Sequence, residues 1–298
     1  MWVVSPFKKY SITILVLILS VDLNAQNNFL YPIPFSQYFN YQSFINPAAT
    51  ALDNKAALRL GERLNAAPFN RIRTFFAIGE FSLKNDAGAG HGIGLSIMSH
   101  KEGPLFSINR VYAQYAYHLN ISEEWKFSSG ASFGYLNFSV DPSPTSAGVS
   151  SYSPDGSIGL LLYRDIERIG ISSSQIFNNS IEVISKPIPV KRYYNFFYLR
   201  EIIVSPGSTF IPSVLYTLKN ERSELDVSGS FLMNNILFAG LSYQLNKGTA
   251  YFLGIKDFNF LSGYTDLTFS YNSPWPSKNL RNIHSFEIML AYKLDKNR

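Results

Sequence analysis

Asn109-Arg110-Val111-Tyr112-Ala113-Gln114-Tyr115-Ala116-Tyr117-His118-Leu119 is the stretch that decides the architecture. Val111, Ala113, Tyr115, Tyr117 and Leu119 are apolar, while Arg110, Tyr112, Gln114, Ala116 and His118 between them form a mixed-polar set. Successive side chains of a strand point to opposite faces, so this is a strand with one oily and one mixed surface. The pattern recurs along the chain. Trp125, Phe127, Ala131, Phe133 and Tyr135 alternate with Lys126, Ser128, Gly130, Ser132 and Gly134; Leu225, Val227 and Phe231 alternate with Glu224, Asp226, Ser228 and Ser230. Leu237, Ala239, Leu241, Tyr243 and Leu245 alternate with Phe238, Gly240, Ser242 and Gln244, and Phe286, Ile288, Leu290, Tyr292 and Leu294 with Ser285, Glu287, Met289, Ala291 and Lys293.

Alternation of this kind serves two solvents. In a soluble sandwich the oily face meets a packed core; in an outer-membrane barrel it meets lipid and the polar face lines the interior. Three features favour the barrel. The mixed face carries Arg110, Lys126, Glu224, Asp226, Lys256, Asp266 and Glu287, which suit a polar lumen with internal ion pairs. Tyr115, Tyr117, Trp125, Tyr135, Tyr243, Tyr251, Tyr271 and Tyr292 sit near strand ends, where aromatic girdles meet lipid headgroups. The strands are about ten residues long, the length of a tilted bilayer crossing. The expectation is an all-β, transmembrane antiparallel outer-membrane β-barrel of about 14 strands over residues 55–298. Their centres are Leu60, Phe76, Leu95, Ala113, Ala131, Leu160, Ile171, Phe197, Leu215, Val227, Leu241, Leu253, Phe269 and Leu290. With the first strand running outward, the longest gaps (Ser139 to Asp155, Phe177 to Arg192, Asn272 to Asn282) fall outside, and the turns Asn120 to Glu124 and Asn234-Asn235 fall on the periplasmic side.

Composition agrees with that reading. The 298 residues are 46% hydrophobic and 15% aromatic but only 16% charged, against roughly 25% charged in an average soluble domain. Such a chain buries enough apolar area to fold, which excludes disorder. The absence of cysteine excludes a disulfide scaffold, a thiolate zinc site and a cysteine nucleophile. Lys8 and Lys9, the apolar run Ile12 to Leu19 and the small-residue exit Leu23-Asn24-Ala25 read as a signal peptide over residues 1–25. The run is about half the ~20 residues of a spanning helix. Beyond it no segment approaches the ~18 apolar residues of such a helix. A net charge of +5 is too mild to imply nucleic acid.

Residues 26–54 do not alternate and carry Pro32, Pro34 and Pro47, so no regular strand is expected there. Three readings stand: a plug, a partner-binding strap outside the barrel, or an ordered lead-in to the first strand. Phe35-Ser36-Gln37-Tyr38-Phe39 followed by Asn46-Pro47-Ala48 resembles the opening of the PorP/SprF family of Bacteroidetes outer-membrane proteins. Ser153-Pro154-Asp155, Arg168-Ile169-Gly170-Ile171-Ser172 and Gly240-Leu241-Ser242-Tyr243 resemble later blocks of that family. Ser270-Tyr271-Asn272 is similar to its Y-x-Y-D stretch with Asn in place of Asp, and His284-Ser285-Phe286-Glu287-Ile288 to its terminal strand with His and Glu set apart.

The resemblance implies a barrel associated with type IX secretion in the cell outer membrane, embedded in outer-membrane lipid after signal-peptide cleavage. It implies an accessory that helps export or attach a large secreted, adhesin-like surface protein connected with gliding motility, and that touches secretion and motility components. Phe35, Ser36, Gln37, Tyr38, Asn46 and Pro47 are then candidate partner-binding residues, with the strap facing periplasmic components and the outer loops facing the cargo. No enzyme activity, cofactor or metal is expected. His91, His100, His118 and His284 show no H-x-x-x-H spacing, and His284 and Glu287 lie three apart on a strand and so point to opposite faces. Gly88 to Gly94 lacks the helix and acidic partner of a nucleotide fingerprint and reads as a turn with a small-residue strand. Lys219 to Glu224 reads as a solvated hairpin tip, and Arg71 and Arg73 as lumen or loop charges. The alternatives are a porin-like or hydrophobic-solute uptake channel and, third, a soluble all-β surface protein.

Overall fold

The computed structural model describes residues 30–32, 35–84, 90–142, 147–183, 186–220, 223–245, 247–275 and 283–296. The expected signal peptide, Pro34, the start of the Gly88 to Gly94 run, and Glu221 with Arg222 lie outside the described residues. Among the described residues seventeen strands follow one another: β1 Asn54–Asn65, β2 Arg73–Lys84, β3 Gly90–Glu102, β4 Phe106–Asn120, β5 Lys126–Val140, β6 Val149–Arg164, β7 Glu167–Ser174, β8 Ser180–Val183, β9 Lys186–Pro189, β10 Tyr193–Arg200, β11 Ile202–Ser205, β12 Ser208–Leu218, β13 Ser223–Met233, β14 Leu237–Gln244, β15 Gly248–Phe260, β16 Gly263–Pro274 and β17 Ser285–Lys296. Fourteen of them form a closed antiparallel barrel. Each wall strand pairs with its sequence neighbours, β7 pairs β10, β10 pairs β12, and β1 closes on β17 with Asn54 opposite Lys296. β8 and β9 are a separate hairpin, and β11 is a short strand beside the start of β12. All fourteen centres expected from alternation fall within wall strands.

The oily side of each wall strand faces outward. Leu95 (51% exposed), Phe133 (64%) and Leu253 (64%) stand clear of the protein, while Ser96, Ser132 and Ser242 on the opposite face are buried. A barrel bearing a continuous apolar belt needs acyl chains around it, because exposed apolar area in water costs roughly 25 cal/mol per Å2. That arrangement rules out the soluble sandwich. No helix among the described residues is long and apolar enough to cross a membrane; the strands cross it. Tyr135, Tyr243, Tyr251 and Tyr271 project outward near one end of the belt and Tyr117, Trp125 and Tyr292 lie near the other.

Strand β1 begins and β17 ends at the same end, the near end. Connections there are short, as at 165–166, 234–236 and 261–262. Asn234 and Asn235 both have left-handed φ (52° and 57°), the central pair of a tight turn closed by the Ile236 N–H donating to the Met233 carbonyl (3.1 Å). Connections at the far end include 66–72, 141–148, 275–284 and the stretch 175–192 that carries the β8–β9 hairpin. Outer-membrane barrels keep short turns in the periplasm and long loops outside, so the far end faces the exterior. The gap expected from Ser139 to Asp155 is much narrower. β5 pairs on to Val140 and β6 from Val149, because ladder hydrogen bonds continue past the lipid belt although hydrophobic alternation stops there.

Candidate functional site: the filled lumen

Residues 30–32 and 35–52 lie inside the barrel, and Asp53 follows at its near end. Their helical pieces are short (Tyr38–Asn40, Gln42–Ile45 and Pro47–Ala49), since prolines and close wall contacts interrupt each turn. Phe35, Tyr38, Phe39, Tyr41 and Ile45 are buried against inward-facing Phe76, Ile78, Met98, Phe197, Leu215, Phe238 and Phe252. Phe35 meets Phe76 edge-on at 4.7 Å between ring centroids, and Tyr38 meets Phe197 at 6.2 Å. Each such side chain contributes about 1.5–3 kcal/mol when taken out of water. The lumen is therefore a packed core with an apolar centre, and the wall's inward apolar residues exist to meet the segment.

Polar bonds fix the segment along its length. Glu287 accepts from the Ser36 hydroxyl (2.6 Å) and backbone N–H (3.1 Å) and from Arg63 Nε (2.8 Å). Gln37 donates to Ser270 (2.5 Å), and the Tyr38 hydroxyl sits 3.1 Å from that of Ser213. Lys256 donates to Asn40 (2.6 Å) and lies over the Phe238 ring at 4.2 Å. Lower down, Ser172 donates to the Ile45 carbonyl (2.7 Å), Ser128 to that of Ala48 (2.7 Å), and His118 Nε2 lies 3.0 Å from that of Thr50. Arg59 pairs with Glu80, which also accepts from the Ala51 N–H (3.3 Å). At the near end Arg168 clamps Asp53 through two bonds (2.7 and 3.0 Å). The charge and hydrogen bonds of the Arg168 guanidinium hold the part-exposed Asp53 carboxyl below its usual value. A carboxyl lowered in the folded state adds stability above its unfolded value, and that contribution fades as pH falls through the folded one.

The Asn-Pro-Ala turn is the tightest lock. Asn46 donates to the carbonyls of Leu160 (2.9 Å) and Ile171 (3.3 Å) and accepts from the Ala48 N–H (3.0 Å), which caps the turn. The wall opposite is glycine. A Cβ on Gly159 would stand 1.9 Å from Asn46 Oδ1, one on Gly130 2.4 Å from the Ala48 nitrogen, and one on Gly92 2.2 Å from the Thr50 carbonyl oxygen. Only glycine lets the two backbones approach this closely.

Phe35, Ser36, Gln37, Tyr38, Asn46 and Pro47 are thus all buried in the lumen, each against this chain's own wall. A strap facing the periplasm gives way to a segment inside the barrel. Arg110, Glu224, Asp226, Lys256, Asp266 and Glu287 face the lumen as expected; Lys126, half-buried, instead reaches the exposed Asp165 (3.7 Å) on the near rim. Lys219 and Glu224 are not a solvated tip. They pair at 2.6 Å with only 11% and 12% of their side chains exposed, and Lys247 joins Glu224 at 2.8 Å. Arg71 and Arg73 are exposed. His284 faces outward beside the Tyr271 hydroxyl (2.8 Å), opposite in sense to the inward Glu287. No group of three or more metal-type ligands occurs among the described residues. Glycines and apolar residues on the mixed face, such as Gly130 and Phe238, were the available signal for a filled lumen.

A closed fourteen-stranded barrel with an oily exterior and a lumen occupied by its own N-terminal segment defines a plugged outer-membrane barrel. The chain belongs to the PorP/SprF family of type IX secretion system membrane proteins, whose family model matches residues 27–292. No curated protein matches it. Among solved structures it is similar to the Ralstonia pickettii toluene transporter TbuX (10% identity, TM-score 0.56, covering 86% of this chain and 93% of that one). It is also similar to a Pseudomonas aeruginosa FadL homologue (11% identity, TM-score 0.52, 85% and 93%). The Pseudomonas putida toluene transporter TodX matches at 11% identity and TM-score 0.52, over 85% and 93%. At these identities the likeness is one of fold.

Proposed function

We propose that this protein is an accessory barrel of type IX secretion that helps export or surface attachment of a large secreted, adhesin-like protein, with no chemistry of its own. Family membership supports the secretion role, and the observation that carries the accessory reading is the fixed segment of residues 30–32 and 35–53. Polar bonds and apolar packing hold it along the whole lumen, so the barrel is suited to present surfaces rather than to pass solutes. The outer loops are the contact surface for the cargo. Gliding motility is the process such an adhesin would serve.

A hydrophobic-solute channel is the second reading, favoured by the overall shape shared with the toluene transporters. Two lumen cavities bordered by Pro32 and Phe44 measure about 20 and 30 Å3. A ~150 Å3 apolar cavity is what holds a benzene-sized guest. A third, of about 150 Å3, lies at the far end, where Arg63, Lys247 and Asn272 put charged and polar groups into a mixed lining. Deleting the gene separates the readings. Surface proteomics is expected to show loss of one very large secreted polypeptide from the cell surface with hydrocarbon uptake unchanged. An unchanged surface proteome together with lost hydrocarbon uptake would transfer the assignment to the channel.

A further inference from the structure

The far end of the barrel holds a cavity of about 150 Å3 that the wall builds without the lumen segment. Five neighbouring wall strands contribute: Arg63 from β1, Gln244 from β14, Thr249 from β15, Ser273 from β16 and Ser285 from β17, joined by Lys247 from the turn between β14 and β15. None of the described residues of the segment lines it. Among the described lining residues only Arg63 and Lys247 are charged, and both are cations. The carboxylates that they pair with lie outside the lining: Glu287 accepts from Arg63 Nε (2.8 Å) and Glu224 from Lys247 Nζ (2.8 Å), and Asp226, deeper on β13, does not line it either. Glu224 also holds Lys219 at 2.6 Å, so one carboxylate serves two ammonium groups.

Uncharged groups complete the lining. Gln244 is only 9% exposed, yet its amide has no hydrogen-bond partner among the described residues, and the hydroxyls of Thr249 and Ser273 have none either. Polar groups withdrawn from bulk water without partners cost free energy, which a guest carrying hydroxyls returns. Pro274 and Ile283 add an apolar patch. We propose that this cavity binds one acidic sugar residue, a hexuronate, at the exterior mouth. Its carboxylate meets Lys247 and Arg63, its hydroxyls meet Gln244, Thr249 and Ser273, and the C–H face of its ring meets Pro274 and Ile283. Water satisfies the amide and the hydroxyls but brings no negative charge to the two cations. A phosphate brings charge but no apolar face, and its second charge is repelled by Glu224 and Glu287. A cavity of about 150 Å3 holds one six-membered ring, so the site takes a single sugar residue. Such binding is independent of whether the barrel serves export or solute uptake.

Isothermal titration of the detergent-solubilised protein with D-galacturonate, D-galactose and inorganic phosphate tests the site, with saturation-transfer NMR as a second readout for the sugars. Galacturonate is expected to bind saturably. Galactose, which lacks the charged hydrogen bonds, is expected to bind at least about tenfold more weakly, and phosphate more weakly than galacturonate. Lys247→Met removes one cation while Glu224 keeps Lys219, and is expected to weaken galacturonate at least about tenfold with galactose little changed. Gln244→Leu is expected to weaken both sugars. Heat-modifiable migration verifies that each variant is folded. No saturable binding of galacturonate to the folded parent, by either readout, overturns the proposal. Phosphate binding as tightly as galacturonate overturns the sugar assignment, and full galacturonate affinity in folded Lys247→Met places the binding outside this cavity and overturns it too.

Discussion

Gly159→Leu combined with Gly130→Leu is expected to convert a silent barrel into a conducting one. Both glycines face the lumen, and a Cβ at either position falls 1.9 Å from Asn46 Oδ1 or 2.4 Å from the Ala48 nitrogen. Neither neighbour has a flexible side-chain end to swing aside. Asn46 is held by two wall carbonyls and Ala48 by Ser128, so the Asn-Pro-Ala turn must leave as a unit. Overpacking of this kind costs about 1–3 kcal/mol per site, and losing the two hydrogen bonds from Asn46 to the wall adds roughly 1 kcal/mol each. The wall has its own fourteen-strand ladder and lipid contacts, so it survives while the plug's lower half detaches. A barrel of this strand number encloses an aqueous lumen once its filling is gone. Planar-bilayer recordings are expected to change from a flat trace to large, frequent openings. Gly79→Ala is the control: nothing lies within 4 Å of a Cβ there, and its trace is expected to stay flat. A double-leucine variant that folds and remains silent would refute the role given to the glycine wall.

The wall of this protein was legible in its sequence because lipid imposes one rule on each strand. Positions such as Val111, Tyr115 and Leu241 must be apolar wherever they meet acyl chains, and period-two alternation records that rule residue by residue. The contents of the lumen obey no such period. Phe238 and Met289 sit on the mixed face of otherwise regular strands, and in isolation each reads as noise. Their reason is Phe39 and its neighbours some 200 positions earlier in the chain, a pairing that local pattern does not encode. The same holds for Gly130 and Gly159, whose meaning depends on the backbone of Pro47 and Ala48. The prolines told that residues 26–54 form no regular strand; which of the three placements its described part takes came only with the fold. Loop lengths were overestimated for a related reason. Hydrophobic alternation ends with the bilayer, whereas β5 and β6 continue pairing through Asn137, Ser139, Ser150 and Ser151.

Glu287→Ala is expected to be the most damaging single polar substitution in the lumen. The carboxylate is 2% exposed and gathers donors from three elements: Ser36 on the plug, Arg63 on β1 and Asn272 on β16. Removing it takes away the carboxylate that pairs with Arg63, and breaking a buried pair costs about 3–5 kcal/mol. The Ser36 N–H and hydroxyl lose their acceptor as well, at about 1–3 kcal/mol for each buried group left unmet. These terms overlap, so a total near 4 kcal/mol is the expected loss in urea unfolding of the detergent-solubilised barrel. Arg63 also lies 4.9 Å from the Phe35 ring, so its displacement would disturb the apolar centre beside it. The rescue distinguishes charge imbalance from lost shape. Arg63→Met with Glu287→Leu removes both charges and fills similar volume, and is expected to recover more than half of the deficit, as buried pairs replaced by apolar residues often do. Arg63→Met alone is expected to be worse than the pair, because it strands the carboxylate. If Glu287→Ala unfolds within about 1 kcal/mol of the parent, the plug is held by packing alone, and the polar bonds along its length orient it without anchoring it.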